Sequence, residues 1–124
     1  MGSETHSTLI DSIEVSLMPQ PESFQPSLSD ALPDLVKGGI ASRPLFRAPG
    51  CKVTLFRFDE GQGMTEHTSG HAATLQLLEG RLRVQVGDTT AVMEPGSFLG
   101  LEPRVPHALE AEAPSLLLLC VMAP

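Results

Sequence analysis

The sequence predicts an all-β domain, a sandwich or barrel of short antiparallel strands, behind an extended N-terminal arm. Three observations carry that prediction. From residue 50 onward, short apolar and β-branched runs recur about every 8–12 residues. Glycine and proline, 11 of each in a chain of 124 residues, stand between those runs. No stretch holds a sustained helical period.

The arm is set apart by its prolines. Pro19, Pro21, Pro26, Pro33, Pro44 and Pro49 are spaced too closely for a long helix, which leaves room for one helical turn within Ser29–Val36. Before them, Leu9–Leu17 alternates, Ile13, Val15 and Leu17 against Ser12, Glu14 and Ser16, and reads as an edge strand. Residues 1–49 are therefore assigned to the arm with its edge strand, and 50–124 to the barrel. Met1–Ser7 is expected to be disordered.

Within the barrel, Lys52–Phe58 is rich in β-branched and aromatic residues, and Ala73–Leu78 is an apolar strand ending at Glu79-Gly80. Arg81–Val86 alternates, with Leu82, Val84 and Val86 on one face and Arg81, Arg83 and Gln85 on the solvent face. Gly87-Asp88 turns the chain into Thr89–Met93, and Pro95-Gly96 turns it into Ser97–Leu101. Pro103 and Pro106 bracket the turn before His107–Glu112, and Ser115–Met122 closes the chain. This last strand is apolar at nearly every position, so both its faces are expected to be covered, the outer one by the arm or by a second subunit. That is the argument for a homodimer.

Composition excludes several classes. A formal net charge of −7 with scattered basic residues argues against nucleic acid, whose phosphates demand clustered Lys and Arg. The longest apolar run, Leu116–Met122, falls far short of the roughly 20 residues that span a bilayer. No basic segment precedes an apolar one at the N-terminus, so no secretory signal is read and a cytoplasmic location is expected. Cys51 and Cys120 form neither a CxxC pair nor a disulfide framework, and read as two buried thiols, a bridge between them depending on whether the fold brings them together. Gly61-Gln-Gly63 lacks the third glycine and the helix of a dinucleotide fingerprint. Gly96-Ser97-Phe98-Leu99-Gly100 leads into a strand, unlike a nucleophile elbow. Asp59-Glu60 and the Glu110/Glu112 pair read as solvated carboxylates.

What remains for chemistry is histidine. His6 falls in the arm, leaving His67, His71 and His107. His67 and His71 share side-chain parity but would lie about 13 Å apart on a straight strand, so they meet only if the chain bends, as it could at Ser69-Gly70. Pro106 can aim His107 inward. Neutral imidazoles are common ligands of divalent first-row metals, and three of them leave coordination positions open; the alternative is three hydrogen-bonded structural histidines.

The arrangement around them resembles the cupin superfamily. Gly61, His67 and Gly80 fall in register with its first motif (Gly, five residues, His-x-His, three or four residues, Glu, six residues, Gly). Pro95-Gly96 followed by Leu101-Glu-Pro103-Arg-Val-Pro106-His107 resembles its second, in which a proline-rich turn delivers one histidine into the barrel. The resemblance covers about residues 52–122. It implies a double-stranded β-helix, an RmlC-like jelly-roll barrel, with metal-ligand positions at His67 and His107. Ser69 stands where the motif has its second histidine, Ala73 where it has glutamate, and the closing asparagine is absent. His71 is the candidate replacement. Arg104 replaces a customary glycine and reads as a surface residue, or as an anchor for an anionic ligand over the barrel mouth.

The expectation is a small cupin with a divalent ion, of zinc, iron, nickel or manganese, on His67, His71 and His107, together with a small-molecule ligand. If the protein is an enzyme, the resemblance implies a metal-dependent oxygenase or isomerase. A metal-free binding or sensor cupin is the alternative. A metal-independent isomerase or epimerase with His67 or His107 as base is the third reading, and it lacks a tyrosine acid partner.

Overall fold

The computed structural model describes residues 19–32 and 34–123, so the strand read over Leu9–Leu17 and the segment Met1–Ser7 lie outside the described residues. Seven antiparallel strands follow one another: β1 (Ile40–Ala48), β2 (Cys51–Phe58), β3 (Gly63–His67), β4 (Ala72–Val86), β5 (Thr89–Met93), β6 (Phe98–Leu101) and β7 (His107–Met122). The main path runs β1-β2-β7-β4-β5, with β3 on β7 and β6 on β4. The described residues contain no helix, and therefore none long and apolar enough to cross a membrane. This is the all-β jelly-roll expected from the sequence.

Two differences from the sequence reading concern the long strands. The runs read as separate strands before and after Glu79-Gly80 form one strand, β4, and those around Pro114 form one strand, β7. Each doubles as a member of both halves of the barrel. The register between them shifts around Glu79–Leu82, where β4 carries an irregularity. Gly80 makes it possible: its φ of +90° is open to glycine, and a Cβ there would lie 2.3 Å from the Pro114 carbonyl oxygen and from Ser115 Oγ. The fully buried Ser115 serves the irregular backbone, its hydroxyl accepting from Arg81 N at 3.1 Å and donating to the Ala113 carbonyl at 2.7 Å. The shift also switches parity. Leu75 and Leu77 point inward before it, and Leu82 and Val84 after it, all joined with Phe58, Met93 and Leu117 in the central core.

A further difference is β1. The arm is expected to run through residue 49, yet Ile40–Ala48 pairs along its length with β2 and forms the sheet edge. Pro44 is tolerated because an edge strand has one side without partners, and the pairing is irregular between Pro44 and Phe46.

The arm ahead of β1 lies on the outer face. Its turn at Ser27–Ala31 carries two successive i→i+3 bonds, Asp30 N to Ser27 O and Ala31 N to Leu28 O, and so begins two residues before the segment Ser29–Val36 in which one helical turn is expected. Ala31 and Leu32 cover Leu55 and Leu116 in a second apolar cluster. Arg43 donates to the Ala31 carbonyl at 2.7 Å, Arg57 to the Ser29 carbonyl at 2.8 Å, and the Ser29 hydroxyl bonds Glu79. The apolar run in β7 thus has both faces covered at Leu116–Leu117, with the arm supplying the outer cover. At the arm's end, Asp59 accepts from the backbone of Gly38 and of Glu60, and those bonds hold its carboxyl below the ordinary value. Arg81 and Arg83 share the exposed face, as expected, and both pair with Glu112, which is half-buried between them.

Candidate functional site

β3 and β7 position the first two histidines. They pair antiparallel, with His67 directly opposite His107, so both side chains leave the sheet on one face. Their rings meet edge-on with centroids 4.2 Å apart. His107 is almost buried, whereas His67 is exposed at the barrel mouth.

Each ring is oriented in the same way. His67 Nδ1 lies 2.9 Å from the Thr65 carbonyl oxygen, and His107 Nδ1 lies 2.9 Å from the Val105 carbonyl oxygen. A carbonyl can only accept, so Nδ1 carries the hydrogen in both rings. In the neutral form each Nε2 then keeps a free lone pair.

The pair opens into a cavity of about 250 Å³ inside the barrel, below the roughly 300–1,000 Å³ of drug-sized sites. Ser69, His71 and Ala73 line it, as parity predicted, and the walls are aliphatic, including Leu75, Leu117 and Leu119. Among the described residues, no acidic or basic residue other than histidine lines it.

The structure thus brings His67 and His107 together and leaves His71 in the same cavity outside that pair. Among the described residues, no three His, Cys, Asp or Glu side chains are grouped so as to hold a metal ion. Ser69 and Ala73, at the motif's other ligand positions, contribute a hydroxyl and a methyl group to the wall. The donor set therefore fits a two-imidazole site and does not make up a full protein coordination shell.

Two features of the mouth were not legible in the sequence. Arg104 adopts φ +67°, the left-handed region that glycine occupies freely. Its backbone N donates to the Ser69 carbonyl at 2.7 Å, tying the β6–β7 turn to the β3–β4 loop. The only advance signal was that a glycine is customary at this position of the motif. The other feature is Gly63, whose closeness to Leu109 and Glu110 of β7 leaves no room for a side chain.

The chain belongs to the cupin family, whose cupin-domain model matches residues 54–122. Among solved structures, a cupin superfamily protein from Desulfitobacterium hafniense is similar at 19% identity and a TM-score of 0.75, covering 86% of this chain and 95% of its own. A conserved protein of unknown function from Streptococcus pyogenes is similar at 28% identity and a TM-score of 0.65, covering 69% and 75%. KdgF from a Halomonas species is similar at 20% identity and a TM-score of 0.66, covering 77% and 89%. No curated protein matches the sequence.

Proposed function

We propose that this cupin binds a small molecule with a compact apolar body and a single hydrogen-bond-donating head, such as a hydroxyl. The observation that supports it is the pairing of two imidazoles, each with Nδ1 committed to a carbonyl, above aliphatic walls that, among the described residues, carry no Asp, Glu, Lys or Arg. Nε2 of His107 and of His67 would accept from the ligand head, and Leu75, Leu117 and Leu119 would enclose its body.

A second reading has its own support. A histidine that ligates a metal donates its other ring N–H to a carbonyl or carboxylate, which is the arrangement of both rings here. A divalent metal would then sit on Nε2 of His67 and His107, with His71 the third ligand, and would supply Lewis acidity to a bound substrate.

Thermal unfolding separates the two. With EDTA present, phenol or benzyl alcohol is expected to raise the melting temperature of wild type and to leave His107→Ala unmoved. Zinc or manganese alone giving the larger rise, reversed by EDTA, would favour the metal reading. No rise with any of these probes would overturn both.

The expected homodimer remains part of this proposal. Phe98 of β6, the most exposed large apolar side chain among the described residues, supports it on an outer face away from the cavity.

A further inference from the structure

Cys51 and Cys120 lie 69 positions apart in the sequence, and the fold places them side by side. Cys51 opens β2, and Cys120 lies in β7, diagonal to it in a register that pairs Lys52 with Val121 and Val53 with Cys120. Parity puts both on the outer face, away from the cavity. Their sulfurs are 3.7 Å apart, and both thiols are free and half-buried.

We propose that Cys51 and Cys120 form an oxidisable dithiol, closed to an intramolecular disulfide by hydrogen peroxide and reopened by a small thiol. Three observations carry this. The sulfurs need an approach of about 1.7 Å to reach the roughly 2.0 Å of a disulfide bond, and their diagonal placement across the two strands asks the backbone to close slightly with them. Partial exposure admits a reagent as small as peroxide. Cys51 directly follows Gly50, whose φ of +81° marks the tight turn out of β1, so it sits at a strand end rather than mid-ladder.

The reaction balances without a cofactor. One sulfur, as thiolate, attacks a peroxide oxygen, giving a sulfenic acid and releasing hydroxide. The second sulfur displaces the sulfenic hydroxyl, so that the S–S bond forms as the S–O bond breaks. The two sulfurs together lose two electrons, the peroxide is reduced, and the two thiol hydrogens leave in two molecules of water. Burial, and the neighbouring Cys51, push the Cys120 thiol up, which suits it to the slower second role.

The bond would have a consequence for the cavity. Leu119 and Val121 flank Cys120 and line the cavity from the other face of the same strand. Tying Cys120 to β2 would restrain that wall.

The test is hydrogen peroxide at a few equivalents on the full chain, followed by alkylation, intact mass and a non-reducing gel. The expected result is loss of both alkylatable thiols, a mass lower by about 2 Da, migration as monomer and recovery with dithiothreitol. Cys51→Ser and Cys120→Ser are each expected to gain oxygen on the remaining sulfur rather than lose mass. The oxidised wild type is also expected to unfold at a higher urea concentration than the reduced form. Retention of both thiols, oxygen added to wild type without loss of hydrogen, or a disulfide-linked dimer would each overturn the proposal.

Discussion

Replacing Gly63 with alanine tests how the site is held together. A Cβ at Gly63 would sit 1.9 Å from the Leu109 carbonyl oxygen and 2.8 Å from Glu110 Cα, while real Cβ atoms essentially never come within 3.0 Å of such atoms. Both obstacles are backbone, so β3 must retreat from β7 by at least 1.1 Å (3.0 − 1.9). That movement strains the neighbouring bonds Gly61 N to Ala111 O and Ala111 N to Gln62 O, each 2.8 Å long. Two such bonds are together worth about 1–3 kcal/mol net. The stiffer unfolded chain returns about 0.4–1 kcal/mol, so a net loss of roughly 1–2 kcal/mol is expected. For a domain of this size that is a fall in melting temperature of about 4–10 °C. His67 rides on the same five-residue strand, so the imidazole pair should open and the response to phenol should weaken. Gly70→Ala is the control: it has nothing within 4 Å and no left-handed φ, and should stay within about 0.5 kcal/mol of wild type. Calorimetry and amide exchange at Met64 and Leu109 read both variants. If Gly63→Ala melts with wild type and keeps its protection there, the close approach of β3 to β7 does not hold the site as argued.

Two more substitutions have defined signs. Arg104→Gly relieves a left-handed φ that costs a non-glycine residue about 1–2 kcal/mol, and part of this returns as extra unfolded-chain freedom; a stabilisation of up to about 1 kcal/mol in urea unfolding is expected. Ser115→Ala removes a buried hydroxyl that serves Arg81 N and the Ala113 carbonyl, and should cost about 1–3 kcal/mol by the same assay, with m unchanged.

Much of the fold was legible because period and punctuation are local properties. Leu82, Val84 and Val86 against Arg81, Arg83 and Gln85 identify a strand and its wet face without reference to any partner. Strand β1 carries no alternating signal, because Ser42, Arg43, Pro44 and Arg47 break up its apolar positions without a period of two; its conformation is imposed by pairing with β2. The merging of two runs into β4 escaped because Gly80 reads locally as a turn, and only the register against β7 makes it an irregularity within one strand. For the site, parity correctly sent His67, Ser69, His71 and Ala73 to one cavity. It could not give their spacing in three dimensions, nor the approach of Cys51 to Cys120, since both depend on which strands become neighbours.

The geometry at the mouth also bears on how His71 could join the other two histidines. It precedes β4 by one residue, and its backbone N donates to Ser69 Oγ at 3.2 Å. Ser69 is held from the other side, its carbonyl accepting from Arg104 N at 2.7 Å. The β3–β4 loop is therefore tied both to itself and to the turn that delivers His107. If drawing His71 onto the pair moves the backbone, it breaks one of these bonds, at a cost of about 0.5–1.5 kcal/mol each. A metal–imidazole bond can meet that cost, and a hydrogen bond to a neutral ligand gains little over it. The three-histidine arrangement should therefore appear only with a metal, while a neutral ligand should be read by His67 and His107 alone. His71→Ala separates the cases: it should leave stabilisation by phenol unchanged and diminish stabilisation by zinc.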